Sequence, residues 1–231
     1  QTIFSTALPT IVGELNGVDH MLWVTTAYIL AATIMMPVYG KLGDLIGRKP
    51  LFIGALSIFI VGSVVGGMAT SMPLLIAARA IQGLGGGGLM ILAQAIIADV
   101  VPVRERGRYM GVMGAVFGVS AVAGPLLGGW FTESIGWRWA FWLNIPLGLV
   151  AIVLAWRFLP MTRHANRPVI DTAGFVTMAI SVTSLILVTS LGGNTWAWSS
   201  PEIIGLSIVA IVAGIAFVWV ESRAAEPLIP L

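Results

Sequence analysis

Uncharged apolar runs recur along the chain at residues 21–40, 51–78, 80–98, 110–132, 139–156, 172–201 and 203–220. Each approaches or exceeds the roughly 20 mostly apolar residues that a membrane-crossing helix needs. Inside a bilayer only helices and closed barrels satisfy their own backbone hydrogen bonds, and these runs lack the apolar–polar alternation of barrel strands. Residues 1–12, QTIFSTALPTIV, are too short to span and read as the outer half of a truncated first helix. The pattern predicts seven whole transmembrane helices and one partial one.

The polar segments between the runs alternate in charge. One set holds Lys41, Arg48 and Lys49, then Arg104, Arg106 and Arg108, then Arg157, Arg163 and Arg167, and finally Arg223. The alternating set, near Glu14, Met72, Glu133 and Asn194, holds a single cation, Arg138. By the positive-inside rule the basic set is cytoplasmic, and with it both termini. Trp23, Trp130, Trp137, Trp139, Trp196 and Trp198 fall near the opposite boundaries, where interfacial anchors are expected. The longest polar stretch, residues 160–171, carries two prolines and reads as a cytoplasmic linker. It divides a six-helix bundle (residues 1–159) from a pair of additional transmembrane helices and the start of a cytoplasmic loop (residues 172–231).

Composition narrows the function classes. Of the 231 residues 58% are hydrophobic and 10% charged, against roughly 25% charged in a soluble domain. The solvent of this chain is a lipid bilayer. A dispersed formal charge of +2 offers nucleic acid no basic patch. The absence of cysteine excludes disulfide frameworks and thiolate metal sites. The chain begins with glutamine and shows no charged n-region, so no signal peptide is expected, and the native N-terminus is expected to lie further upstream. His20 and His164 stand far apart on opposite expected faces, and no metal spacing or activated nucleophile accompanies them. Residues 83–88 match G-x-G-x-x-G formally, yet they lie inside a membrane run and lack the preceding strand that a dinucleotide site requires. No enzyme is expected.

Three stretches carry the remaining chemistry. In GKLGDLIGRKP (residues 40–50) Gly40, Gly43 and Gly47 allow close approach of two helices joined by a short link. Asp44 suits a helix N-terminus or a basic partner, while Arg48 and Lys49 suit the cytoplasmic side. In IAARAIQGLGGGGLM (residues 76–90) Arg79 and Gln82 share one helix face. Arg79 lies about two turns inside the outer end of its helix, so it either snorkels or faces a cavity or partner; an intramembrane charge favours the second. The glycines from Gly85 to Gly88 weaken a helix and are best compensated by a neighbour packed closely against them. In GVSAVAGPLLGGW (residues 118–130) Pro125 bends the helix, and Gly124 and Gly128 make a small-residue packing face with Gly129 beside it.

Together these stretches resemble the major facilitator superfamily over essentially the whole chain. GKLGDLIGRKP is similar to the family's signature between helices two and three. RAIQG, with Arg79, Gln82 and Gly83, is similar to its helix-four signature. GPLLGG, with Gly124, Pro125, Gly128 and Gly129, resembles the helix-five signature of exporting antiporters, with Gly111 as its upstream glycine and Ser120 replacing a usual glycine. QTIFSTALP resembles a first-helix signature of the fourteen-helix drug:proton antiporter branch through Thr2, Ala7, Leu8 and Pro9, with Ser5 in place of a common asparagine. WRWAFWLNIPLG (residues 137–148) and the helix pair after Pro160 are similar to the same branch.

The resemblance implies an all-α major facilitator N-terminal bundle, its first helix truncated, with two linker helices and a C-terminal six-helix half outside the sequence. It implies alternating access about a midplane site, with a proton gradient and no cofactor as the energy source. The expected substrates are small hydrophobic or cationic compounds, exported in exchange for protons across the cell membrane. Asp44 would help to hold a cytoplasmic gate, with Arg104 or Arg108 as partner. Arg79 would couple protonation to helix rearrangement, and Gly124–Pro125 would limit leak. Gln82, Met90 and Gln94 are weaker pore-lining candidates. The deep spans hold no carboxylate, so the proton carrier is expected outside the sequence. Two alternatives remain open: a metabolite symporter on the same fold, and a truncated or half-size membrane module without transport of its own.

Overall fold

The computed structural model describes residues 2–161 and 171–224. Residues 162–170 of the expected linker, with Arg163, His164 and Arg167, and the segment after residue 224 lie outside the described residues. The helices, in chain order, are α1 (Thr2–Glu14), α2 (Met21–Ile46), α3 (Arg48–Gly67), α4 (Met72–Val100), α5 (Val103–Ser134), α6 (Trp139–Trp142), α7 (Asn144–Phe158), α8 (Thr172–Leu191) and α9 (Pro201–Glu221). A 3-10 turn, Val18–His20, leads into α2.

Among the described residues, seven helical segments are long and apolar enough to cross a bilayer: Val18–Ile46, Arg48–Gly67, Met72–Val100, Val103–Ser134, Trp139–Phe158, Thr172–Leu191 and Pro201–Glu221. They coincide with the runs read from the sequence, and the chain is a multi-pass membrane protein. Two boundaries differ. The segment 40–50 was expected to be a loop, but α2 continues to Ile46, α3 begins at Arg48, and Gly47 alone makes the turn, at φ 97°. The fifth of these spans, Trp139–Phe158, is broken at Leu143 into α6 and α7. Pro146 has no N–H to return to the Trp142 carbonyl, so the helix is interrupted one turn before it.

Helix α4 is the axis of the bundle, packed along α2 on one side and α3 on the other. Its glycines permit this. A Cβ on Gly83 or Gly87 would collide with the α2 backbone at Tyr28 and Ala32, and one on Gly85 with the α3 backbone at Ala55 and Phe59. Glycines on opposite sides of one helix let two neighbours approach at backbone distance, which offsets their poor helix propensity. This explains the glycine run as close packing. A Cβ on Gly43 would stand 3.1 Å from Leu92 of α4 and 3.5 Å from Arg48 of α3, so this glycine makes room for α4 as well as for the helix next in sequence.

Helix α1 lies along α5, and α7 along α3. The main apolar core joins Phe4, Ala7 and Ile11 of α1 to Leu75 of α4, Phe131 of α5 and Phe141 of α6. Trp137, expected at the interface as an anchor, is 2% exposed within this core. Helices α8 and α9 form a hairpin, with Asp171 capping α8 at the open end and Ser200 capping α9 in the connecting turn; they accept from the backbone N–H of Gly174 and Ile203. Helix α8 rests on α2, where Val188, Leu191 and Ile203 gather around Trp23. By contrast α5 presents Val112, Val116, Val119, Val122 and Leu126 outward.

Candidate functional site

The interior polar group of the bundle is centred on Arg79, one face of α4. Its side chain is 3% exposed and does not snorkel. The guanidinium Nε donates to the Val24 carbonyl at 3.2 Å and Nη1 donates to Gln82 Oε1 at 2.7 Å. The Phe4 and Tyr28 rings lie over it, with centroids 4.7 and 4.4 Å from Cζ. Gln82 Nε2 donates in turn to Ser63 Oγ at 2.8 Å, and the Ser63 hydroxyl donates to the Phe59 carbonyl at 2.9 Å. One hydrogen-bonded chain therefore runs from α2 through α4 to α3. Burying a cation costs several kcal/mol unless its donors are satisfied, and two aromatic faces add about 0.5–2 kcal/mol each.

Arg79 thus meets partners, one of the two arrangements expected of an intramembrane charge, and the Phe4 and Tyr28 rings close the space around it. Gln82, expected as a weaker pore-lining candidate, is buried at 0% exposure. Gly83 belongs to the same helix face and admits Tyr28 and Ala31 of α2 against the backbone. Met90 is exposed, and Gln94 half-buried.

At the basic end of the bundle the positive φ of Gly47 turns the chain so that Arg48 and Lys49 point at other helices. Arg48 bridges Asp44 at 2.9 Å and Asp99, near the end of α4, at 2.8 Å, and it also donates to the Ala95 carbonyl. Lys49 Nζ donates to the carbonyls of Trp156 and Leu159 at 2.7 and 2.8 Å, closing the carboxyl end of α7. Asp44 was expected to meet Arg104 or Arg108. Its partner is Arg48, one turn along the same run, while Arg104 and Arg108 lie exposed. The basic residue that reaches back to α4 is Arg106, which donates to the Val101 and Ala98 carbonyls. A Cβ on Gly40 would meet only Ile91, at an ordinary 3.9 Å. Beside this cluster an apolar recess of about 580 Å³ opens between α3, α4, α5 and α7, bounded by Phe52, Ile96, Met113, Leu154 and Phe158.

The first-helix and fifth-helix stretches meet. A Cβ on Gly128 would strike the Ile3 carbonyl and Thr6 of α1; Gly124 is buried, and Pro125 lies within α5. Gly129 points away, with nothing near it, as does Gly111. Ala7 is fully buried, Leu8 partly so, and Pro9 exposed; the side chain of Thr2 lies outside the described set.

At the end opposite Gly47 the structure assembles a cluster that the sequence reading left as scattered surface residues. Glu14, the last residue of α1, accepts from Trp137 Nε1 at 2.6 Å and from Arg138 Nη1 at 2.7 Å. Arg138 Nη2 also donates to the Ala69 carbonyl at 3.1 Å, and its guanidinium stacks on Trp137 at 4.3 Å. The hydrogen bond from Arg138, then that from Trp137, hold the Glu14 carboxyl below its ordinary value, with the charge of Arg138 adding to them and partial burial opposing them. Arg138 was visible in the sequence as the lone cation on its face. That isolation was the signal. No group of three or more histidine, cysteine or carboxylate side chains suited to a metal occurs among the described residues.

Residues 1–222 match the family described as Major Facilitator Superfamily. The whole chain is 48% identical over 230 residues to an uncharacterized MFS-type transporter of Mycobacterium tuberculosis, covering 34% of that protein. It is 41% identical over 230 residues to the multidrug transporter protein MdtP of Bacillus subtilis, again over the whole chain and 42% of the relative. The crystal structure of an auto inhibited POT family peptide transporter superposes on 95% of the chain with a TM-score of 0.58 at 16% identity, using 48% of that chain. The chain thus spans between a third and a half of the length of the proteins it matches.

Proposed function

The chain belongs to the major facilitator superfamily, and we propose that it is the N-terminal half, with linker helices, of a proton-coupled exporter of hydrophobic or cationic compounds. The observation that carries this reading is the Arg79–Gln82–Ser63 chain. It places a positive charge between α2, α3 and α4, the helices packed most closely in the bundle. A charge held this way changes its interaction energy whenever a nearby group gains or loses a proton, so protonation and helix position are coupled.

Three further observations support it. The Bacillus subtilis relative is named a multidrug transporter. The outward apolar face of α5 suits a second six-helix half, with the glycine contact at Gly128 fixing α5 on α1. The apolar recess beside Arg48 and Lys49 suits hydrophobic compounds arriving through the bilayer. In this reading the basic end faces the cytoplasm, the membrane is the cell membrane, and the proton-carrying carboxylate lies outside the sequence. No cofactor is needed beyond the gradient. The test is ethidium uptake by everted vesicles carrying the full-length transporter. Uptake that stops when the pH gradient is collapsed supports proton-driven export; uptake that persists overturns it.

A further inference from the structure

The segment DLIGRKPLF (residues 44–52) has a counterpart in ESIGWRWAF (residues 133–141), aligned on an acid, Ile46 with Ile135, Gly47 with Gly136 and Phe52 with Phe141. The first joins the second and third helices of one three-helix unit, α1–α3. The second joins the corresponding helices of the next unit, α4 to α7. Inverted repeats place such segments on opposite membrane faces.

The correspondence extends to backbone and bonding. Gly47 and Gly136 both turn with positive φ, 97° and 95°. The residue after each glycine donates to a carboxylate at the end of the first helix of the other unit: Arg48 to Asp99 of α4, and Trp137 to Glu14 of α1. The next residue in each is a cation that donates to carbonyls closing the third helix of the other unit. Lys49 reaches Trp156 and Leu159 at the end of α7, and Arg138 reaches Ala69 just past α3. Cations at carboxyl ends complement the helix dipole. Arg138 additionally takes the ionic role of Arg48, bonding Glu14 directly.

We infer that residues 136–138 with Glu14 form a clasp that mirrors the 47–49 cluster, and that Arg138 and Glu14 are positioning residues for transport. Each clasp fastens one unit to the other at its own face, so the bundle is tied at both ends and tilts as one body. The clasp on the Arg138 side stays closed throughout the cycle. Its bonds span α1, α3 and the α5–α6 turn, and beneath it Trp137 and Ala69 are packed in the core.

The role in transport rests on the exporter reading above; the clasp itself does not, and the experiment separates the two. The full-length transporter is prepared without cysteine outside this chain, which holds none. In one arm Glu14→Cys and Arg138→Cys are combined, and ethidium transport is measured before and after bridging the thiols with a short bifunctional methanethiosulfonate. Transport is expected to fall about fivefold, the change an exposed charge pair can make in a two-state equilibrium, and to return on bridging. Transport equal to the parent's, or a bridged protein that no longer transports, overturns the inference. The second arm needs no transport: Ile11→Cys, buried under the clasp, is alkylated with a membrane-impermeant maleimide. Arg138→Gln is expected to raise the rate about fivefold, and Arg138→Lys, which keeps the charge but not the fork that serves Glu14 and Ala69 together, to raise it less. An unchanged rate in Arg138→Gln overturns the clasp whatever the transported compound.

Discussion

Gly87 of α4 lies directly against the Ala32 carbonyl of α2, so close that a single added methyl group would collide with the backbone. Neither helix can yield there without dragging the Arg79 chain, whose Val24 anchor lies two turns further along α2.

Gly87→Ala is therefore expected to destabilise the protein by roughly 1–3 kcal/mol, the usual cost of overpacking. Gly129→Ala, with nothing near the new methyl group, is expected to be neutral or to gain up to about 1 kcal/mol from helix propensity. Thermal unfolding in detergent, followed by tryptophan fluorescence, compares the two directly.

Arg79→Ala is expected to abolish export while leaving the amount of protein in the membrane unchanged. Arg79→Lys keeps the charge but loses the planar fork that serves Val24 and Gln82 together, and is expected to retain less than about a tenth of the activity, a loss of ~1.4 kcal/mol or more. Dye efflux from cells, normalised to protein detected by immunoblot, measures both. Export at the parent's level in Arg79→Ala would remove Arg79 from the mechanism.

At the basic end, Arg48→Ala strands two carboxylates and is expected to impair transport more than Asp44→Ala, which leaves the Arg48–Asp99 pair in place. Arg104→Ala and Arg108→Ala, both at exposed positions, are expected to be silent. The same efflux assay ranks the four, and a defect in Arg108→Ala as large as that in Arg48→Ala would contradict the observed pairing.

Because its donors hold the Glu14 carboxyl below the ordinary value of 4.5, the folded state binds a proton there less readily than the unfolded chain. The stabilisation from Glu14 is complete above that value and is lost as pH falls through the lower folded one. Screening at this half-exposed pair keeps the effect small. Glu14→Gln is expected to lower thermal stability near neutral pH and to flatten the acid limb below the ordinary value of 4.5. A parallel pH curve in the variant would show that the carboxylate is not what titrates.

Much of the architecture was legible along the chain because lipid imposes a one-dimensional rule. A span needs about 20 apolar residues, and the runs around Met21, Leu51 and Thr172 stood out for that reason. Arg79 and Gln82 shared a helix face by their spacing, and the structure bonds them to each other. The destination of that face was not legible. Ser63 and Tyr28 sit on different helices, and nothing local to Arg79 named either of them. The break at Leu143 was foreshadowed by Pro146, whereas the continuation of α2 through a stretch holding two charges and Gly43 was not.

Composition and periodicity therefore settled the solvent, the number of spans and the face on which cations collect, since each depends on short-range transfer energies and helix geometry. Packing of helices distant in sequence settled the rest. It gave Arg48 two acids where Arg104 and Arg108 had been expected to serve Asp44, turned the glycine run toward two neighbours at once, and buried Trp137. It also brought Glu14 to Arg138 across 124 residues of chain. Such pairings arise when helix ends converge at a membrane face, and convergence is a property of the bundle that no window along the sequence contains.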